Sequence, residues 1–409
     1  MIEHLPALLV VVPLLAAPIV AGLRWGRAAW AVALGVSWSV LAMALLLLRE
    51  VLENGVIRYS MGGWVAPIGI EYRIDLVNAW VLMIVASIGA VVMPYALASF
   101  EREMERQRIP LLYSALLLCL TGLLGIAATG DVFNLFVFLE ISSISAYALI
   151  ASGPDRRALH SAYKYLIMGS IGATFIVIGI GMLYMMTGTL NMMDLADLLP
   201  HVSSRVVSVA FAFLTVGICL KLALFPLHLW LPDAYTFAPS TVTAFLASTA
   251  TKVAVYMLLR FFFTIFGPTF SLGVMNFQAV LLPLALLAIL SASLTAIYQR
   301  NVKRLLAYSS VAQVGYMILG ISLASVTGLT AGLLHLFNHA LIKAALFMAV
   351  GAVMYQVGSV RIEAMRGLGK KMPWTMAAFV LAGLSLIGVP GTVGFISKWY
   401  LVLAAVEAG

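Results

Sequence analysis

Seven side chains could carry charge or a proton through this otherwise greasy sequence: Glu140, Lys221, Lys252, His335, His339, Lys343 and Lys398. Lys221 sits deep in VVSVAFAFLTVGICLKLALFPLHLWLPD, Val206 to Asp233, a run long enough to enter a bilayer. A lone ammonium in hydrocarbon costs at least ~2.5–3.5 kcal/mol on insertion scales. It must snorkel to the interface or meet a polar interior. Apolar stretches on both sides point to the interior, so Lys221 is expected on an ion path. Pro226 then interrupts the helix and frees a carbonyl, and His228 follows. Membrane proteins accommodate such breaks where a hydrated cavity receives them.

Glu140 is the one carboxylate expected deep in a span, in DVFNLFVFLEISSISAYALI, followed by Ser142, Ser143, Ser145 and Tyr147. An isolated carboxylate there protonates or finds a cation, and Lys221 is the natural partner. Parting such a pair lowers the lysine's proton affinity and raises the glutamate's, which is what a proton pump needs. A static structural salt bridge is the plainer alternative. Asp131 begins the same helix after Gly130, and N-capping is its expected role.

Lys252, in TAFLASTATKVAVYML, is a second intramembrane cation, with Thr249 and Tyr256 on its helical face; packing near a helix end is the alternative. HLFNHALIK sets His335, His339 and Lys343 on one stripe spanning about 12 Å. Histidine titrates near neutral pH and can relay protons. A satisfied core pair and a metal pair are the other readings of HxxxH. The remaining histidines include His4, His160 and His201, near span ends or outside, so the multi-histidine boxes of membrane di-iron enzymes are missing. Lys398 lies in GLSLIGVPGTVGFISKWYLVL, just beyond Pro390 and Gly391. A lysine beside a broken helix thus occurs twice, lysine before proline at Lys221 and proline before lysine at Lys398. Paired broken helices in two halves of a chain suggest a transporter with internal repeats, and a structural kink is the alternative. Lys164, beside Tyr163 and Tyr165, is either a snorkelling anchor or a point of proton uptake.

The elements that must position these groups are transmembrane helices. The 409 residues are 63% hydrophobic and 10% charged, with mean hydropathy +1.07. A soluble chain carries about 25% charge. Continuous apolar runs argue against a β-barrel and for an all-α polytopic membrane protein. Twelve spans are expected, at about 5–23, 28–48, 75–99, 110–129, 132–151, 163–187, 206–232, 240–262, 275–297, 305–325, 328–354 and 373–402. The first lacks a basic leader and reads as a span rather than a signal peptide. Residues 49–73 and 188–204 are too polar or too rich in glycine and proline to span, and read as external loops. Cys119 and Cys219 fall in apolar runs, so no disulfide framework is indicated.

Loop charge gives orientation. Arg24, Arg27, Arg102, Arg106, Arg108, Arg156, Arg157, Arg300, Lys303, Arg304, Arg361, Arg366, Lys370 and Lys371 follow spans 1, 3, 5, 9 and 11. The other side holds Arg49, Arg58, Arg73, Arg205 and Arg260. Both termini are therefore expected outside. The net charge of +8 reflects this asymmetry and not nucleic-acid binding. There is no phosphate loop, cysteine ligand set or dinucleotide fingerprint, so no cofactor or metal is expected.

GDVFNLFVFLEISSISAYALI, KLALFPLHLWLPDAY, HLFNHALIKAALF and GVPGTVGFISKW together resemble the proton-translocating antiporter-like proteins. That family includes Mrp-type sodium/proton antiporter subunits and the pump subunits of complex I and membrane hydrogenases. The resemblance covers nearly the whole chain. TGDVFNLFVFLE and MTGTLNMMDL look most like the D-type component of Mrp, while WLPDAYTFAPS is shared in type with complex I subunits.

The resemblance implies N-terminal helices over 1–109 and two inverted five-helix repeats, 110–262 and 275–409. It implies a hydrated axis on which Glu140 and Lys221 form the first pair and Lys252 the bridge. His335, His339 and Lys343 are the middle relay, and Lys398 ends the second half. Family members usually have more helices, so the second repeat is expected to be truncated or completed by a partner's helix. The expected protein is a proton-translocating subunit of a multisubunit Na⁺/proton antiporter in a prokaryotic cell membrane. A pump subunit of a redox complex is the alternative, and a metal enzyme built on His335 and His339 the outside reading.

Overall fold

The computed structural model describes residues 2–408. Among them, eleven helices are long and apolar enough to cross a membrane. The chain is a multi-pass α-helical membrane protein. Helices α1 (Leu5–Gly22), α2 (Gly26–Asn54), α3 (Leu76–Glu103), α4 (Ile109–Ala128), α5 (Val132–Ala151) and α6 (Arg157–Thr187) follow one another through short connections, except between α2 and α3, where a hairpin intervenes. After short α7 (Met192–Leu198) and α8 (Arg205–Leu222) the chain breaks, then resumes as α9 (Leu231–Phe237). There follow α10 (Ser240–Leu259), α11 (Gln278–Ile297), α12 (Val302–Ser322) and α13 (Val326–Val357). Short α14 (Leu368–Lys371) leads to α15 (Pro373–Ile387) and α16 (Val393–Glu407). The expected spans 206–232 and 373–402 are thus each two helices with an irregular middle.

Both breaks have a local cause. α8 ends at Ala223, whose φ of 58° is left-handed, a conformation that costs an L residue ~1–2 kcal/mol. Trp230 donates from its indole to the Leu220 carbonyl at 3.0 Å, satisfying a helix-end acceptor. α15 ends at Gly388, with φ 89°, where the missing Cβ removes the penalty.

Residues 49–73 form the end of α2 and a hairpin of β1 (Ile57–Ser60) and antiparallel β2 (Glu71–Ile74). The hairpin is tied to the start of α5: Gly130 donates to the Glu71 carbonyl at 2.8 Å. Burial there pushes the Tyr72 phenol up to about 12. Asp131 caps α5 as expected, accepting from Asn134 N at 2.7 Å.

Several features recur at one fixed spacing along the chain. Asp131 pairs with Asn191 in an isolated bridge, and Asn301 with Arg361 in another. Asp131 caps α5 and Asn301 caps α12. The long helices α6 and α13 both end on left-handed glycines, Gly188 and Gly358. Because an odd number of crossings separates the members of each pair, they lie at opposite ends of the bundle.

At the end rich in arginine, α9 is gripped from two sides. Asp233 Oδ2 is 2.9 Å from Lys164 Nζ, and its Oδ1 is 3.6 Å from Arg304 Nη2. The turn from α9 to α10 is held as well, since Lys303 donates to Ala238 O at 3.1 Å and Ser240 N donates to Glu103 Oε2 at 3.0 Å. Lys164, part-exposed at this end, is thus paired with Asp233.

Candidate ion path

Lys221 occupies the last turn of α8, where exposed carbonyls favour a cation. It is buried, and its Nζ lies 3.7 Å from Glu140 Oε1. It donates more closely to Ser143 Oγ, at 2.9 Å. Ser143 stands one turn beyond Glu140 on α5, so a single helix face presents both acceptors. α5 can bring them this close because Gly122 of α4 leaves room. A Cβ at 122 would stand 2.6 Å from the Phe138 carbonyl and 2.7 Å from Ser142 Cβ.

A small cavity of about 30 Å³ joins Lys221 and Ser143 to Tyr165 and to Ala250, Val253 and Ala254 of α10. That volume admits water. Lys252 lies on the same helix, fully buried. It donates to the Ala247 carbonyl and, at 3.5 Å, to Thr251 Oγ1. The helical neighbours expected to serve it are engaged elsewhere. Thr249 donates to Phe245 O, and the Tyr256 hydroxyl to Ala127 O.

α13 packs along α10 and carries the histidine stripe. His335 Nε2 is 2.7 Å from Gln313 Oε1, and its Nδ1 is 3.0 Å from Ser397 Oγ. The ring of His339 lies 6.1 Å away and nearly parallel, at 4°. Two parallel rings do not converge on one metal, and both His335 nitrogens are engaged. His339 is fully buried, and neither ring nitrogen meets a protein partner among the described residues. A buried imidazole of this kind needs water to satisfy it. Lys343 donates to Leu306 O at 2.7 Å and to Ser309 Oγ on α12.

Lys398 is half-buried on α16. It reaches back across the break to the last carbonyls of α15, Leu386 O at 3.0 Å and Ile387 O at 2.9 Å. Its ammonium also stands 4.8 Å from the centroid of the Tyr316 ring. Both lysines at broken helices therefore sit at the negative end of the preceding half-helix, one from inside it and one from beyond.

Several members of this row escape a reading of the sequence. Ser309, Gln313 and Ser397 all touch the titratable groups, and their one signal was a polar side chain inside an apolar helix; Ser143, noted beside Glu140, proves to be the nearer acceptor of Lys221. Lys303, assigned to a loop, is buried in the first turn of α12. Arg260, assigned to the opposite loops, has an 11% exposed side chain paired with Asp75 at 2.5 Å.

Broken helices in a polytopic bundle, with ammonium groups buried between them, define a membrane protein whose interior is built for charge. The chain belongs to the NADH:quinone oxidoreductase/Mrp antiporter transmembrane family, whose model matches residues 129–409. It is 46% identical to the N-type subunit of NADH-quinone oxidoreductase of Desulforudis audaxviator over 418 residues, covering 100% of this chain and 82% of that one. It is 32% identical to the D-type subunit of the Na(+)/H(+) antiporter of Alkalihalophilus pseudofirmus over 369 residues, covering 90% and 73%. A chain of the membrane-bound sulfane sulfur reductase, an archaeal respiratory membrane complex, superposes with TM-score 0.92 at 34% identity, covering 98% and 82%. The relatives therefore fall on both sides of the family, and the D-type component of Mrp is not singled out.

Proposed function

We propose that this chain is a proton-translocating membrane subunit of a redox-driven, complex I-like assembly in a prokaryotic membrane. The observation that carries this reading is the 46% identity to an N-type oxidoreductase subunit across the whole chain, against 32% to a D-type antiporter subunit. Catalysis of electron transfer then belongs to other subunits.

Within the chain, the Lys221–Glu140 pair is the switch. While Glu140 faces Lys221, the ammonium keeps its proton. When the pair parts, Ser143 remains as an acceptor too weak to hold the charge, and the proton moves toward Lys252 by way of the cavity that reaches Ala250 and Val253 on its helix. Lys252, Lys343 and Lys398 rest on main-chain carbonyls, which accept from an ammonium without neutralising it. His335 and His339 bridge them through water, and Lys398 ends the row. The regularly spaced bridges and caps support two inverted repeats, 110–262 and 275–409. The arginine-rich loops support an N-terminus on the outer side.

A second reading, a component of an Na⁺/proton antiporter, is favoured by the D-type relative. Everted vesicles holding the assembled complex separate the two. The first reading expects proton uptake on addition of an electron donor, without Na⁺. Uptake driven by an Na⁺ gradient without donor would replace it with the second.

A further inference from the structure

At the arginine-rich end a cavity of about 690 Å³ opens between the α1–α2 turn, the end of α3 and the start of α4. Arg24, Arg27, Arg102 and Arg106 line it, with Glu101 as its carboxylate. Glu101 is engaged by Arg27 at 2.9 Å. Arg24, Arg102 and Arg106 form no ion pair among the described residues, and Arg102 stacks 6.0 Å from the Tyr355 centroid. The cavity carries a surplus of three positive charges and lies apart from the proposed proton row.

We propose that this pocket binds the headgroup of an anionic phospholipid. Guanidinium forks match phosphate oxygens two at a time. All four arginines stand at or just beyond the ends of spanning helices, where a bilayer places its phosphates. Trp25 beside them is 80% exposed, as an interfacial aromatic anchor would be. α2, which starts from this turn, keeps only 28% of its apolar window buried and so offers the acyl chains a surface. Gly26 and Ile109 give the cavity an apolar patch next to the charge. Basic pockets between spanning helices recognise anionic headgroups by this combination of charge and depth.

The test uses the full chain, purified with the subunits that accompany it and exchanged into nanodiscs. The discs hold phosphatidylcholine with a minor fraction of phosphatidylglycerol or cardiolipin, and retained lipid is counted by native mass spectrometry. Each arginine near a membrane surface is worth about fivefold in anionic-lipid binding. Arg24→Ala with Arg106→Ala should lower retained anionic lipid by about tenfold or more and leave phosphatidylcholine unchanged. Arg49→Ala, which removes one arginine charge at the far end of α2, should leave retention within about twofold, and Arg24→Lys with Arg106→Lys, which keeps the charge but loses the fork, should restore part of it. Equal retention in the alanine variant would overturn the proposal. So would complete displacement of the lipid by millimolar inorganic phosphate, which marks a free-anion site. Loss of an acidic protein partner in place of lipid would overturn it too.

Discussion

Lys221 Nζ stands 3.7 Å from Glu140 Oε1 but only 2.9 Å from Ser143 Oγ. The ammonium therefore has a charged partner and a neutral one on the same helix face, one turn apart. Both acceptors lie within 4 Å of the same ammonium. Glu140→Ala and Lys221→Ala should each abolish proton flux in everted vesicles while the complex still assembles. Flux at the normal level in either variant removes the assigned path. Ser143→Ala should lower flux about tenfold or more, the worth of one hydrogen bond to a charged group at ~1.5–3 kcal/mol.

Gly122→Ala tests how α5 is positioned. The added methyl meets backbone and Ser142 rather than a flexible side-chain tip. α4 and α5 must part, at a cost of about 1–3 kcal/mol for an overpacked contact. Thermal unfolding of the purified chain should fall by several degrees, and flux with it because Glu140 and Ser143 move together. An unchanged unfolding midpoint would show that α4 and α5 are not so closely seated.

Gln313→Leu isolates the partner of His335. It leaves a buried imidazole nitrogen unpaired, a loss of ~1–3 kcal/mol. Flux should drop and its pH profile should move, because the neighbour that orients the ring is gone. His335→Ala should reduce flux further. A Gln313→Leu profile identical to the unaltered protein's would place His335 outside the relay.

Asp233→Asn cuts both ties between α9 and the flanking helices α6 and α12. Part-exposed pairs are worth ~0–1 kcal/mol each, so stability should change little. Flux should nevertheless fall, because α9 carries the far half of the broken helix. A large loss of stability with normal flux would make Asp233 a structural tie alone.

Lys398→Ala should impair transport and leave the Lys221–Glu140 pair intact. Retention of full transport would mean that the second half of the bundle does not conduct.

The spans were legible in the chain because hydrocarbon leaves few options: long apolar runs must be helices that satisfy their own backbone. The same physics exposed the buried cations, since each lysine inside such a run is costly, and the two breaks, since Pro226 and Pro390 each remove a helix hydrogen bond and Gly391 weakens the helix beside one of them. Pairing of Glu140 with Lys221 followed from charge alone. Tertiary structure decided which acceptors complete the row. Ser143, Ser309, Gln313 and Ser397 lie far along the chain from the lysines and histidines they touch, and a serine in an apolar helix looks the same whether it faces a lysine or its own carbonyl. Packing likewise turned Lys303 and Arg260 from loop charges into buried ones. Their positions in the sequence mark a helix end, but only the neighbouring helices determine whether that end is covered.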